Sequence, residues 1–150
     1  MLLPVPVSNA CTSCLCADNG GKGAAYSRVM SSNPGSTGPI EVRPWGSFVV
    51  IADLPYVKVK RLIVNPGHRF SYQSHTHRDE HWVVVRGEAG VTSNDKVTNH
   101  GYGDYIRLPR KTKHRLACIG DEPLEIIEVQ VGDSFAEDDI VRYSDDYGRS

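Results

Sequence analysis

From Glu41 onward the apolar residues fall in short bursts, alternating with polar ones at every second position or running together for a few residues. No sustained helical period of about 3.6 residues is present. Turn residues separate the bursts at near-regular spacing: Asn65-Pro66-Gly67, Gly87, Ser93-Asn94-Asp95, the stretch 101–104 and the stretch 120–123. Strands are predicted over 47–52, 56–64, 70–75, 81–86, 89–92, 105–108, 114–119 and 124–131. Many short strands at this spacing make an all-β sandwich or barrel. Residues 137–150 are charged and are predicted as a helical turn or a packed tail. Residues 1–40 contain Gly20-Gly21, Gly23, Asn33-Pro34-Gly35 and Ser36-Thr37-Gly38-Pro39, with few large apolar side chains. Such a segment buries too little surface to offset its ordering entropy, so it is predicted as a flexible N-terminal tail ahead of a single domain over 41–150. Met30 is a candidate biological start at that composition break.

Composition narrows the classes. Seventeen Lys and Arg against eighteen Asp and Glu give a formal charge of −1, without the basic excess of a nucleic-acid binder or a polybasic membrane anchor. A local basic pocket for a small anion remains open. The opening MLLPVPVSNAC lacks a basic n-region and is broken by two prolines, unlike a secretory signal. With no apolar run long enough for a membrane span, a cytoplasmic protein is expected. Cys11, Cys14 and Cys16 crowd into the tail, far from Cys118. They are read as reduced thiols, because a zinc site needs a second ligand pair at suitable spacing.

The histidines carry the chemistry. Four of the six lie in the stretch 73–81 and at Lys113-His114. Residues two apart on a strand share a face, so Gln73, His75 and His77 can converge. Glu80 follows past an expected bend, and His114 opens another strand after Pro109-Arg110-Lys111-Thr112.

The spacing Gly67-x5-Gln73-x-His75-x4-Glu80-x6-Gly87 resembles the first cupin motif, with Gln73 where most cupins have histidine. Gly103-x5-Pro109-x-Lys111-x2-His114-x3-Cys118 resembles the second, with Lys111 in place of the usual glycine and Cys118 in place of asparagine. A frame using His75 and His77 as the His-x-His pair fits neither Gly67 nor Glu80; the Gln73/His75 frame fits both flanking glycines. Further strings narrow the resemblance. Arg43-Pro44-Trp45-Gly46-Ser47-Phe48, Val57-Lys58-Val59-Lys60-Arg61-Leu62, Gln73-x-His75-x-His77-Arg78-x-Glu80-His81-Trp82 and Glu137-Asp138-Asp139-Ile140-Val141-Arg142 are similar to the type II mannose-6-phosphate isomerase domain, over about residues 41–149.

The resemblance implies a single-domain cupin (a double-stranded β-helix, or jelly-roll barrel). It also implies an isomerase interconverting mannose 6-phosphate and fructose 6-phosphate, and a homodimer. The implied metal ligands are Gln73, His75, Glu80 and His114. Zinc is the expected ion, and mixed nitrogen and oxygen donors also suit Mn, Co, Ni or Fe. For the base, His81, His77, Lys60 and Glu128 are candidates, with His81 and Lys60 preferred. An exposed lysine is too basic, so Lys60 would need burial beside the metal. Arg142 is the expected phosphate clamp, since a guanidinium grips phosphate in a bidentate manner, with Arg43 as the alternative. Trp45 and Trp82 are read as core or rim aromatics. Competing readings are a metallocupin dioxygenase with another small substrate and a non-catalytic sugar- or nucleotide-sugar-binding module.

Overall fold

Alternation of buried and open positions accounts for most of the architecture. The computed structural model describes residues 38–149; the predicted tail, with Cys11, Cys14, Cys16 and Met30, lies outside the described residues. Eleven strands follow in order among the described residues: β1 (Ile40–Arg43), β2 (Gly46–Leu54), β3 (Val57–Val64), β4 (Tyr72–His75), β5 (Arg78–Arg86), β6 (Ala89–Ser93), β7 (Lys96–His100), β8 (Tyr105–Leu108), β9 (His114–Cys118), β10 (Leu124–Gly132) and β11 (Ile140–Ser144). They form a six-stranded sheet, β1-β2-β3-β10-β5-β8, and a five-stranded sheet, β11-β4-β9-β6-β7. All pairings are antiparallel. The non-sequential orders place the middle of the chain, β5, beside its late strand β10, and β4, which carries Gln73 and His75, between β9 and β11.

Three strands show how the sequence sets the inward face. In β5, Arg78, Glu80, Trp82 and Val84 are buried, and the residues between them are more open. In β10 the buried set is Leu124, Ile126, Glu128, Gln130 and Gly132, and in β9 it is His114, Leu116 and Cys118. The apolar members meet Trp45, Leu62, Val64 and Phe70 in one core, where each fully buried aliphatic or aromatic side chain contributes about 1.5–3 kcal/mol. Toward one end the same inward positions turn polar, at Lys60, Glu80, Glu128 and Gln130, and there the core gives way to a cavity.

The eight predicted strands all form, with small shifts of boundary. Edge strands β1 and β7 are additions. The charged stretch 137–150 holds a 3-10 turn at Glu137–Asp139 and then β11, so it is a strand more than a helix; Ile140, Val141 and Arg142 pair with His75, Ser74 and Gln73. Gly87, in the left-handed region at φ +78°, ends β5. A Cβ there would lie 2.8 Å from the Pro123 carbonyl oxygen, so the β5–β6 turn needs a residue without one.

Candidate metal centre

Three strands deliver the polar cluster. On β4, Gln73 and His75 share a face, two residues apart. The chain then turns at Thr76 and His77, whose backbone N–H groups donate to the Asp139 carboxylate at 2.9 and 3.2 Å. Glu80 lies two residues into β5, opposite Gln130 on one side and Leu108 on the other. It therefore stands past the bend at Thr76 and His77 and already inside a strand. His114 opens β9 directly opposite Gln73, the single register pair between β4 and β9.

The turn before His114 explains one departure from the motif. Lys111 adopts φ +66°, the left-handed conformation that costs a side-chain-bearing residue about 1–2 kcal/mol. The geometry matches the glycine that resembling sequences carry there, and it aims the Lys111 N–H at the His75 carbonyl, 2.6 Å away. The segment leading to His114 and the strand carrying His75 are thereby tied through their backbones. Cys118, the other departure, is buried and points its thiol at the Glu122 carbonyl, 3.1 Å away.

At the centre, one ligand-type atom from each of His75, Glu80 and His114 lies within 4.8 Å of the others, and all three residues are buried. His75 Nε2 is 3.0 Å from Glu80 Oε1 and 3.3 Å from Gln73 Nε2. His114 Nδ1 donates to the Thr112 carbonyl at 2.9 Å, which leaves Nε2 of a neutral ring as a lone pair. That lone pair faces Glu80 Oε2 at 3.4 Å, and neither atom has a hydrogen-bond partner. Two buried acceptors facing each other require a cation between them, either a proton or a metal ion.

The charge balance reflects this. Burial opposes ionisation of Glu80, but the His114 and His75 imidazoles outweigh it and hold the carboxyl well below its usual range. Burial works against protonated His114 as well, and there the Glu80 carboxylate prevails and raises it. For His75 burial prevails over Glu80, and its pKa is lowered, favouring the neutral ring that metals bind. Gln73 completes the set. Its Oε1 accepts a 2.6 Å hydrogen bond from Ser71 Oγ; because a hydroxyl both donates and accepts, Ser71 holds the amide equally well with its oxygen turned toward the cluster. The donors present fit a divalent ion: two imidazoles, one carboxylate and one amide.

Around Glu80 lies a second layer. Arg78, 3% exposed at its side chain, donates Nε to Glu80 Oε1 at 3.2 Å and NH1 to Asp139 Oδ2 at 3.4 Å. Gln130 Nε2 bridges Glu80 Oε1 at 3.3 Å and Glu128 Oε2 at 2.9 Å. Glu128 also accepts from Trp82 Nε1 at 3.1 Å and faces Lys60 Nζ at 3.8 Å. These groups open on a cavity of about 160 Å³, also lined by Arg43, Arg142 and Arg149. Each of these arginines is steadied by a carboxylate: Glu41, Glu137 and Asp145 respectively.

The remaining expected site residues divide by strand face. Lys60 faces inward on β3, a strand flanked by β2 and β10. Arg142 reaches the cavity. His81 does not: it alternates with Glu80 and points outward, its Nδ1 2.5 Å from the Tyr105 hydroxyl. His77 is half exposed beside Asp133. Trp82 is wholly buried and Trp45 nearly so. Arg78, Gln130, Ser71 and Arg149 are not among the site residues that the sequence suggests. The first two were within reach, since period-two alternation from Trp82 and from Ile126 puts both on the inward face.

Two antiparallel sheets closed around an inward His-Glu-His cluster define the class as a cupin. Among solved structures, the capsular polysaccharide assembling protein CapF from Staphylococcus aureus aligns with TM-score 0.61 at 19% identity, over 71% of this chain and 34% of that one. An oxalate decarboxylase variant from Bacillus subtilis aligns with TM-score 0.62 at 17% identity, over 71% and 30%. The sequence places it more finely: residues 38–145 match the family described as "Mannose-6-phosphate isomerase C-terminal", and the chain belongs to that family. Alginate biosynthesis protein AlgA of Pseudomonas aeruginosa is 47% identical over 108 residues, 72% of this chain and 22% of that protein. Xanthan biosynthesis protein XanB of Xanthomonas campestris is 46% identical over 108 residues, 72% and 23%. Mannose-1-phosphate guanylyltransferase ManC of Salmonella typhimurium is 46% identical over 107 residues, 71% and 22%. The chain thus spans less than a quarter of the length of these relatives. Among the described residues no helix is long and apolar enough to cross a membrane.

Proposed function

We propose that this chain is a metal-dependent aldose–ketose isomerase acting on mannose 6-phosphate and fructose 6-phosphate, with zinc as the expected ion. The observation that carries the reading is the pair of facing acceptors, Glu80 Oε2 and His114 Nε2, at the edge of a cavity with an arginine-rich lining. Gln73, His75, Glu80 and His114 would hold the ion, which when bound supplies Lewis acidity toward the O1/O2 pair of an open-chain sugar.

The chain's own groups account for the rest. Arg142, with Arg43 and Arg149, offers planar donors to a phosphate at the cavity mouth. Trp45, Phe48 and Leu62 supply the apolar part of the wall, limiting water around an enediol-like species. Arg78 and Gln130 fix the Glu80 carboxylate from behind, as partners of ligating carboxylates do. Proton-carrying groups stand in the same wall, at Lys60 and Glu128.

A coupled assay on mannose 6-phosphate tests this, with metal-loaded, chelated and re-loaded protein. Turnover that disappears with chelator and returns with zinc or another divalent ion is expected. No turnover with any of several divalent ions refutes it, and binding without turnover would point to a sugar-phosphate-binding module instead.

A further inference from the structure

Resting on the isomerase reading, the proton-transfer step still lacks an owner, and the cavity wall narrows the choice. Three carboxylates line it. Glu80 is engaged by two imidazoles, Arg78 and Gln130. Glu137 is 75% exposed at its side chain and paired with Arg142. Glu128 alone is both buried and held apart from the metal cluster, with Gln130 between it and Glu80. Trp82 Nε1 and Gln130 Nε2 fix one oxygen each, and Lys60 sits 3.8 Å away. Lys60 is the ion-pair partner of that carboxylate, and His81 faces the opposite side of the sheet.

We propose that Glu128 is the catalytic base that carries the proton between C2 and C1 of the sugar, with Lys60 as the positioning residue that favours its ionised form. The carboxylate takes the C2 proton of open-chain mannose 6-phosphate. The C–H electron pair becomes the C1–C2 double bond, and the C1 carbonyl pair moves onto O1. The hydroxyl proton of O2 passes to the adjacent O1. The O2 electron pair then forms the C2 carbonyl, the C1–C2 pair takes the proton back from Glu128 at C1, and fructose 6-phosphate leaves with Glu128 again a carboxylate. No other reactant is consumed.

The charged surroundings suit a base working near neutrality. Burial, with the charge of Glu80 on β5, raises the Glu128 carboxyl to about 7, against the opposing pull of Lys60 on β3, the Trp82 N–H and Arg78. From β9, His114 also feels the charge of Glu128.

The test uses the metal-loaded protein in D2O with mannose 6-phosphate, following product by a coupled assay and C2 deuteration by proton NMR. E128Q is expected to lower kcat and C2 exchange together, by about a hundredfold or more. Metal content and mannose 6-phosphate affinity should stay within about threefold. K60M is expected to retain turnover and move the acid limb of the kcat profile to higher pH, an effect that loss of packing alone would not produce. E128Q retaining a tenth of kcat, or shedding the metal, overturns the assignment. Should E128Q fail to fold, E128D decides: retracting the carboxylate by one methylene is expected to cost about tenfold or more in kcat, and undiminished kcat overturns it. A wild type that turns over and is matched by E128Q defeats this assignment alone, whereas a wild type that neither isomerises nor exchanges C2 hydrogen defeats the isomerase reading and the assignment together.

Discussion

Replacing Arg78 by methionine probes the support of Glu80 directly. The side chain is 3% exposed and donates to two carboxylates that are themselves buried, Glu80 and Asp139, and to the Ala136 carbonyl. Removing one partner of a buried ion pair costs about 3–5 kcal/mol, because a charge is left without compensation in a poorly polarisable interior. Both carboxylates keep other donors here: Glu80 has His75 and Gln130, and Asp139 has the Thr76 and His77 amides. The expected loss therefore falls at the lower end, about 3 kcal/mol. That is a large share of the total stability of a small domain, about 5–15 kcal/mol. Metal affinity should fall about 10–100-fold as well, since Arg78 would orient the carboxylate proposed to hold the ion. Urea unfolding of the metal-depleted protein at neutral pH measures the first quantity, and competition with a chromophoric chelator measures the second. The control is Arg61→Met, which breaks a part-exposed pair with Glu125 on the outer face and should cost no more than about 1 kcal/mol. If Arg78→Met is no more destabilising than the control and binds metal as tightly as wild type, the buried network is not what holds Glu80.

Further outcomes are expected. Gly87→Ala should destabilise by about 2 kcal/mol or more in urea melts, since it places a Cβ 2.8 Å from the Pro123 oxygen at a positive φ; an unchanged midpoint would contradict the turn geometry. Lys111→Gly should be neutral to stabilising by up to about 1 kcal/mol, because relief of left-handed strain exceeds the added chain entropy, and a loss above 1 kcal/mol would show that the lysine side chain matters there. Glu128, raised to about 7 from 4.5, binds a proton in the folded protein that the unfolded chain has already released. Its stabilising contribution is present below about pH 4.5 and lost as pH rises through about 7, roughly 3 kcal/mol in all. His114, also raised, adds to the decline above its unfolded value near 6.5. His75, lowered, works the other way below about 6.5, so metal-depleted protein should lose stability most clearly from pH 6.5 to 8, and E128Q should flatten the slope; an identical slope in the variant would contradict the shift.

How far the sequence discloses all this depends on the residue. Tyr105–Leu108 is read with the bounds the structure shows, because its alternation of apolar and polar side chains is complete. Strand β7, Lys96–His100, is polar and open along nearly its whole length; it is extended by pairing with β6 across the two-residue turn at Asn94 and Asp95, and not by any alternation of its own. Strand β11 hides behind three acidic residues that suggest a helical turn, and does begin as one. Gln73, His75, Glu80 and His114 converge because fixed spacings carry them onto strands of known alternation. His81 looked equally suitable until strand parity, once Glu80 faces inward, turned it outward. The Lys60–Glu128 pair was out of reach for a different reason. It depends on β3 and β10 lying side by side in a register that sets these residues opposite each other, a fact about closure of the sheet and not about either segment.

The strands bearing His75 and His114 meet at one register pair, Gln73 with His114, while β6 and β9 share five and β3 and β10 share eight. The thinnest seam in the barrel is therefore the one that the proposed ion would straddle. Bound there, it would act as a rivet as well as a reagent, stabilising the closed barrel in proportion to how strongly the folded form alone binds it. Stripping the metal should then loosen the molecule locally before it unfolds globally, with β4 and β11 becoming open to proteases and to amide exchange while the six-stranded sheet stays shut. In a cell short of the proposed ion, the emptied protein would then be more open to proteases than the loaded one.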